Sequence, residues 1–170
     1  MPIIITSIQK ILQYLLLVVI GLYAGMLFFH EMCPVETKLD ATAFANYWRI
    51  ADGTFMHDRM NVFGPTMLGI FVLTILTHIK KWKSIAFLIL ILAFGVFITD
   101  VIFFNIEQAP INEYMAKLDI KHLTETDVTQ ITDLQIKSIN NFHSRFLYAM
   151  TSFLLLCLTP FFMGRLPKNT

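Results

Sequence analysis

Four stretches of this chain, Ile11 to Phe29, Val62 to Ile79, Ser84 to Phe104 and Phe146 to Phe162, are long runs of mostly apolar residues. The hydrocarbon core of a bilayer takes about 20 such residues as helix, so each stretch is long enough to cross it. The runs do not alternate with polar residues at period two, which removes a membrane β-barrel. Helices are the remaining way to satisfy backbone groups in lipid. The expected fold is therefore all-α, an integral membrane four-helix bundle forming one domain over residues 1–170. Hydrophobic residues make up 56% of the chain, more than soluble domains of this size carry. The first apolar run is too long for a signal-peptide core and has no small-residue cleavage site after it, so it reads as a retained span.

Orientation follows from charge. Lys80, Lys81 and Lys83 crowd a short turn, and Arg165 and Lys168 follow the last span. The positive-inside rule puts both segments, and with four spans the N-terminus, in the cytoplasm of a cell membrane. The connections at about 31–61 and 105–141 then lie outside. In the first, Ala41 to Phe55 places Phe44, Tyr47, Trp48, Ala51 and Phe55 at helical spacing. This predicts an amphipathic helix lying over the external mouth of the bundle. In the second, Thr124 and Asp127 form a capping-box pattern, so the fourth helix is expected to begin well outside the membrane.

Polar residues gather at the external ends of the spans. Asp100 stands inside an otherwise apolar run, where an unpaired carboxylate is costly, and Arg145 enters the fourth span to a similar depth. The two are expected to pair, either as a helix staple or as an anchor for a polar substrate group. His30, His57 and His143, with Glu31, Asp100 or Glu107, also allow a metal or haem site, although no H-E-x-x-H or E-x-x-H spacing supports it. His78, beside the basic turn, reads as a snorkelling interfacial residue. A formal charge of +1 gives no basic field for nucleic acid. Walker and G-x-S-x-G motifs are absent from the sequence. Cys33 and Cys157 sit at different expected depths, so no bridge is expected. Gly21 and Gly25 form a G-x-x-x-G suited to close helix packing inside the bundle, and an oligomer is left open.

Several segments resemble a known family. NIEQAPINEYMAKL (Asn105 to Leu118) resembles the N-x-P-[IL]-N-E motif that closes the third span of the anthrone oxygenase-like membrane proteins. NNFHSRFLYAM is similar to the aromatic, His and Arg cluster opening their fourth span, and the first span ending in MCP before an amphipathic helix fits as well. The family cluster reads closer to W-H-x-x-R. Here His143 and Arg145 are two residues apart, which turns them to different helix faces.

The resemblance implies an oxidoreductase that converts a hydrophobic small molecule with dioxygen, a reaction that does not strictly require a cofactor, and it leaves the cofactor open. It would use His143 as base, with Arg145 and Asn112 donating to the developing oxyanion. Asp100, Asn105, Trp48 and His57 are the candidate substrate contacts. The lipid bilayer and a hydrophobic small molecule are the expected partners. The competing readings are a non-enzymatic hydrophobic-ligand-binding protein, a small subunit of a membrane complex, and a metal- or haem-binding membrane protein.

Overall fold

The computed structural model describes residues 2–51 and 57–162, with side chains over 7–51 and 59–162. The described residues contain no strand. The chain runs through α1 (Pro2–Met32), a 3-10 turn (Val35–Lys38), α2 (Ala41–Ala51), α3 (His57–His78), a second 3-10 turn (Ile79–Lys81) and α4 (Ile85–Phe103). It continues through a π-helical turn (Phe104–Gln108), α5 (Ala109–Lys117), a third 3-10 turn (Ile120–His122) and α6 (Glu125–Phe162). The four long helices α1, α3, α4 and α6 are long and apolar enough to cross a membrane.

Helix boundaries follow local chemistry. Asp40 Oδ1 accepts from Ala43 N at 2.8 Å to open α2, and Ser84 Oγ accepts from Phe87 N at 3.2 Å to open α4. Each satisfies a backbone donor that the helix itself leaves free. The expected capping box opens α6: Thr124 N donates to Asp127 Oδ2 at 2.8 Å, and Asp127 N returns a bond to Thr124 Oγ1 at 3.2 Å. From there α6 runs unbroken for 38 residues, about 57 Å at 1.5 Å per residue. It therefore extends well past the fourth apolar stretch, as the sequence pattern predicts.

α6 packs along α4 and α1, while α3 packs along α1 and α4. Leu16, Ile20, Leu27, Phe71, Leu90 and Phe97 fill the interior between them. Many equally apolar side chains face outward, among them Leu22, Phe29, Leu73, Leu92 and Leu147, whereas Gln13, Thr74, Asp100, Arg145, Ser152 and Thr159 are buried. Polar inside and apolar outside is the arrangement of a multi-pass membrane protein, whose solvent is lipid.

The ends of this assembly differ. At the end carrying the Lys80–Lys83 turn, Gln9 Nε2 donates to the backbone oxygen of Thr77, and Gln13 Nε2 to Thr159 Oγ1. His78 is buried there, with Nδ1 2.8 Å from its own helix's Thr74 carbonyl oxygen. That corrects the snorkelling expectation: an intrahelical bond holds the ring inward. At the opposite end, α2 sets Phe44, Ala45 and Trp48 into a second core with Ile111 and Met115 of α5 and Ile131 of α6. The amphipathic helix is thus a cap on α5 and α6 over Ala41–Ala51; Phe55 lies outside the described residues.

Of the two glycines in the G-x-x-x-G, only Gly21 makes a close approach. A Cβ there would stand 2.9 Å from the Phe153 ring of α6, while one at Gly25 would meet nothing within 4 Å. Both cysteines are free.

Candidate functional site

Three polar constellations occupy the capped half. The deepest joins α1, α4 and α6. Arg145 Nε donates to Asp100 Oδ1 at 3.2 Å, Arg145 Nη2 donates to the Tyr23 hydroxyl at 2.7 Å, and that hydroxyl donates to Asp100 Oδ2. The Arg145 guanidinium also lies 4.6 Å from the Phe104 ring centroid, a favourable place for a desolvated cation. Asp100 and Arg145 are 1% and 5% exposed, so bulk water does not share in the pairing. The expected pair therefore forms directly, and Tyr23 closes it into a ring of three.

The second constellation surrounds Gln108, which is fully buried. Its Nε2 donates to Asn112 Oδ1 at 2.9 Å and to Ser138 Oγ at 3.0 Å, while Asn141 Nδ2 donates to Gln108 Oε1 at 3.2 Å and to the Glu107 carbonyl at 3.1 Å. The π turn that carries Gln108 inward precedes Pro110, which has no N–H to return to the preceding turn. One further α6 amide, Gln135 Nε2, donates to the carbonyls of Glu36 and Leu39 at 2.6 and 3.0 Å. It fixes the segment between α1 and α2.

The third constellation lines an open pocket of about 280 Å³ bounded by His30, Glu31, Glu36, Asn140, Phe142 and His143, among other residues. Two imidazole–carboxylate pairs cross it. His143 Nδ1 lies 3.0 Å from Glu31 Oε1, linking α6 to α1, and His30 Nδ1 lies 3.2 Å from Glu36 Oε1. Phe142 stacks with both His30 and Trp48, at centroid distances of 4.8 and 5.4 Å, which couples the pocket wall to the α2 cap. Burial, with the Glu36 carboxylate as the lesser cause, pushes the neighbouring Tyr47 hydroxyl above the ordinary phenol range.

No protein-family model, curated protein or solved structure matches this chain. What the site can do must be read from its own geometry.

The candidate residues divide among the constellations. His143 and His30 line the pocket, whereas Arg145 and Asp100 are locked in the buried ring and Asn112 belongs to the Gln108 network. His143, Arg145 and Asn112 thus fall into three separate environments. The two-residue spacing of His143 and Arg145 is the reason: Arg145 points into the interior and the His143 side chain is 55% exposed. Asn105 is turned outward and donates to its own helix's Val101 carbonyl at 2.7 Å. Trp48 supports the pocket through Phe142, and the side chain of His57 lies outside the described residues.

For the proposed metal set, Glu107 is engaged with Lys137 at 2.9 Å and Asp100 with Arg145. Among the described residues, no group of three or more His, Cys, Asp or Glu side chains is placed to hold a metal ion. Sequence reasoning missed Tyr23, Glu36, Gln108, Gln135, Ser138 and Asn140. A signal existed for part of this set, because Ser138, Arg145, Ser152 and Thr159 recur every seven residues along α6.

Proposed function

We propose that this protein is a multi-pass membrane oxidoreductase that takes a hydrophobic small molecule into the pocket at the α2 end, where His143 removes an acidic proton from carbon. The observation that carries this reading is the Glu31–His143 pair at the pocket, 3.0 Å between Oε1 and Nδ1. A carboxylate on one ring nitrogen fixes the imidazole's orientation and leaves the other nitrogen for a substrate proton, the usual arrangement of a histidine base.

The resemblance to the anthrone oxygenase-like proteins supplies the reaction. Proton loss from the ring CH2, acidic because the flanking arenes conjugate it with the carbonyl across the ring, leaves a carbanion that combines with dioxygen, and the CH2 carbon becomes a second carbonyl as one oxygen atom departs in water. Asn140, at the pocket wall, takes over from Arg145 and Asn112 as the candidate donor to the enolate oxygen. In the same reading the Lys80–Lys83 turn faces the cytoplasm of a cell membrane, and the pocket lies where α1 and α6 reach the opposite interface.

The test is oxygen uptake by the purified protein in nanodiscs with an anthrone as probe. The expected result is uptake that His143→Gln lowers by about 10²- to 10⁴-fold. Uptake no faster than in empty nanodiscs, or unchanged in His143→Gln, contradicts the proposal. The absorption spectrum and metal content of the same preparation distinguish cofactor-free turnover from the haem or metal alternative.

A second reading, a non-enzymatic binder of hydrophobic ligands, is favoured by one observation: the guanidinium of Arg145, the strongest anion-stabilising group assigned to the chemistry, is engaged in the buried ring. Saturable anthrone binding without oxygen uptake selects it.

A further inference from the structure

Glu36 is only 5% exposed and lines the pocket. Its Oε1 stands 3.2 Å from His30 Nδ1, an ion-pair contact that falls short of hydrogen-bond geometry, so this buried carboxylate oxygen at the pocket wall lacks an aligned hydrogen-bond donor. Buried polar atoms of this kind are rare, and leaving a charged one unsatisfied is expensive. Glu31 adds a second carboxylate to the same wall, with a side chain 36% exposed. No Lys or Arg lines the pocket among the described residues. The Arg145 guanidinium lies 5.7 Å from the Phe142 ring centroid and is already matched by Asp100. A negatively charged anchoring group would meet two carboxylates here, with the His30 and His143 imidazoles already paired to them, and a neutral acceptor would leave Glu36 as it is.

We propose that the pocket anchors its ligand by a protonated primary amine, whose N–H groups donate to Glu36 Oε1 and to the Glu31 carboxylate. This rests on the reading that the pocket is the ligand site and adds a group that its own ligand carries and that anthrone, a probe of the ring site alone, lacks; it holds whether or not chemistry follows. A primary ammonium supplies donors as well as charge, whereas a trimethylammonium supplies charge alone. That difference separates hydrogen bonding to Glu36 from mere attraction to an acidic wall. The amine can arrive on an amphiphile from the bilayer or as a small water-soluble amine.

The experiment uses the full chain in nanodiscs with Trp82→Phe, which leaves Trp48, stacked on Phe142, as the only tryptophan. Trp82 is an exposed residue at the opposite end. Trp48 fluorescence is titrated with dodecylamine, dodecyltrimethylammonium, dodecanol and butylamine. We expect dodecylamine to bind about ten-fold or more tightly than dodecyltrimethylammonium and dodecanol, and Glu36→Gln and Glu31→Gln each to reduce that preference. Comparable binding of dodecylamine and butylamine assigns a soluble amine; a strong dependence on the tail assigns an amphiphile from the membrane.

If Glu36→Gln does not fold, Glu31→Gln carries the test, because its side chain is partly exposed. Equal binding of dodecylamine, dodecyltrimethylammonium and dodecanol overturns the amine anchor and leaves the pocket as a hydrophobic site. A preference for the amine that survives both glutamine substitutions overturns it as well. No response to any of the four overturns the anchor and the pocket reading together.

Discussion

Asp100 shows what an otherwise apolar helix demands of one charged residue. From the sequence its need for a partner was clear, since an ionised carboxylate in an apolar span must be paired, hydrated or neutralised. Arg145 was identifiable as that partner by depth alone. Tyr23 was not, because a tyrosine among Leu, Val and Ala in a first span looks like any other bulky apolar residue until its hydroxyl is placed between the two charges. The ring of three makes the pair a staple between α1, α4 and α6.

Asp100→Ala or Arg145→Ala alone should leave the other charge buried and cost about 3 to 5 kcal/mol, whereas Asp100→Leu with Arg145→Leu should cost far less. Tyr23→Phe, which removes one donor from Asp100 and one acceptor from Arg145, should cost about 1 to 3 kcal/mol. Unfolding in detergent by denaturant or heat measures all four. If the double variant is as unstable as either single one, the ring is not a self-contained staple. The pocket residues were harder to read from sequence, because Glu31, Glu36 and Asn140 have the composition of an ordinary solvated connection.

At the scale of elements, α6 carries most of the organisation. Its buried stripe runs Ile131, Gln135, Ser138, Asn141, Arg145, Ala149, Ser152, Leu156 and Thr159, and the polar members bond to other elements at successive levels. Gln135 reaches the segment before α2, Ser138 and Asn141 reach the π turn, Arg145 reaches α1 and α4, and Ser152 donates to the Ala93 carbonyl at 2.9 Å. In lipid, apolar faces do not drive helices together, so such contacts and close packing set which faces meet. The length and start of α6 were legible through its apolar run and capping box. The polar seam was legible only through the seven-residue recurrence of Ser138, Arg145, Ser152 and Thr159, since the outward face is polar as well over the first half.

The glycines give a direct check on packing. Gly21→Leu should force Phe153 aside and cost about 1 to 3 kcal/mol, while Gly25→Leu should be close to neutral because its position is open. Thermal unfolding of the two variants in the same detergent decides it, and equal losses would contradict the α1–α6 packing. The α2 cap is checked by hydrogen exchange. Amides from Phe44 to Trp48 should be protected, because both residues are buried against α5 and α6; exchange as fast as in an unstructured loop would contradict a docked cap.

For the whole molecule, the four long apolar helices and the helical cap could be read from the sequence because a bilayer sets the length, hydropathy and backbone satisfaction of any segment able to cross it. The location of the site could not, because two residues side by side in the sequence, or two apart, serve opposite surfaces of the same helix. His143 and Arg145 are the clearest case: one faces the pocket and one the interior.

The central claim is that the pocket of the Glu31–His143 pair receives the ligand and that the buried Asp100–Arg145–Tyr23 ring holds the helices. It is tested most directly by histidine footprinting of the protein in nanodiscs with and without saturating anthrone, reading diethylpyrocarbonate modification by mass spectrometry. His122, whose side chain is 80% exposed and is not part of the pocket lining, serves as the internal reference. Anthrone should slow modification of His143 while His122 is unchanged, and the folded double variant Asp100→Leu with Arg145→Leu should show the same protection. Saturable anthrone binding with His143 modified at its ligand-free rate, or protection lost in that double variant, would contradict it.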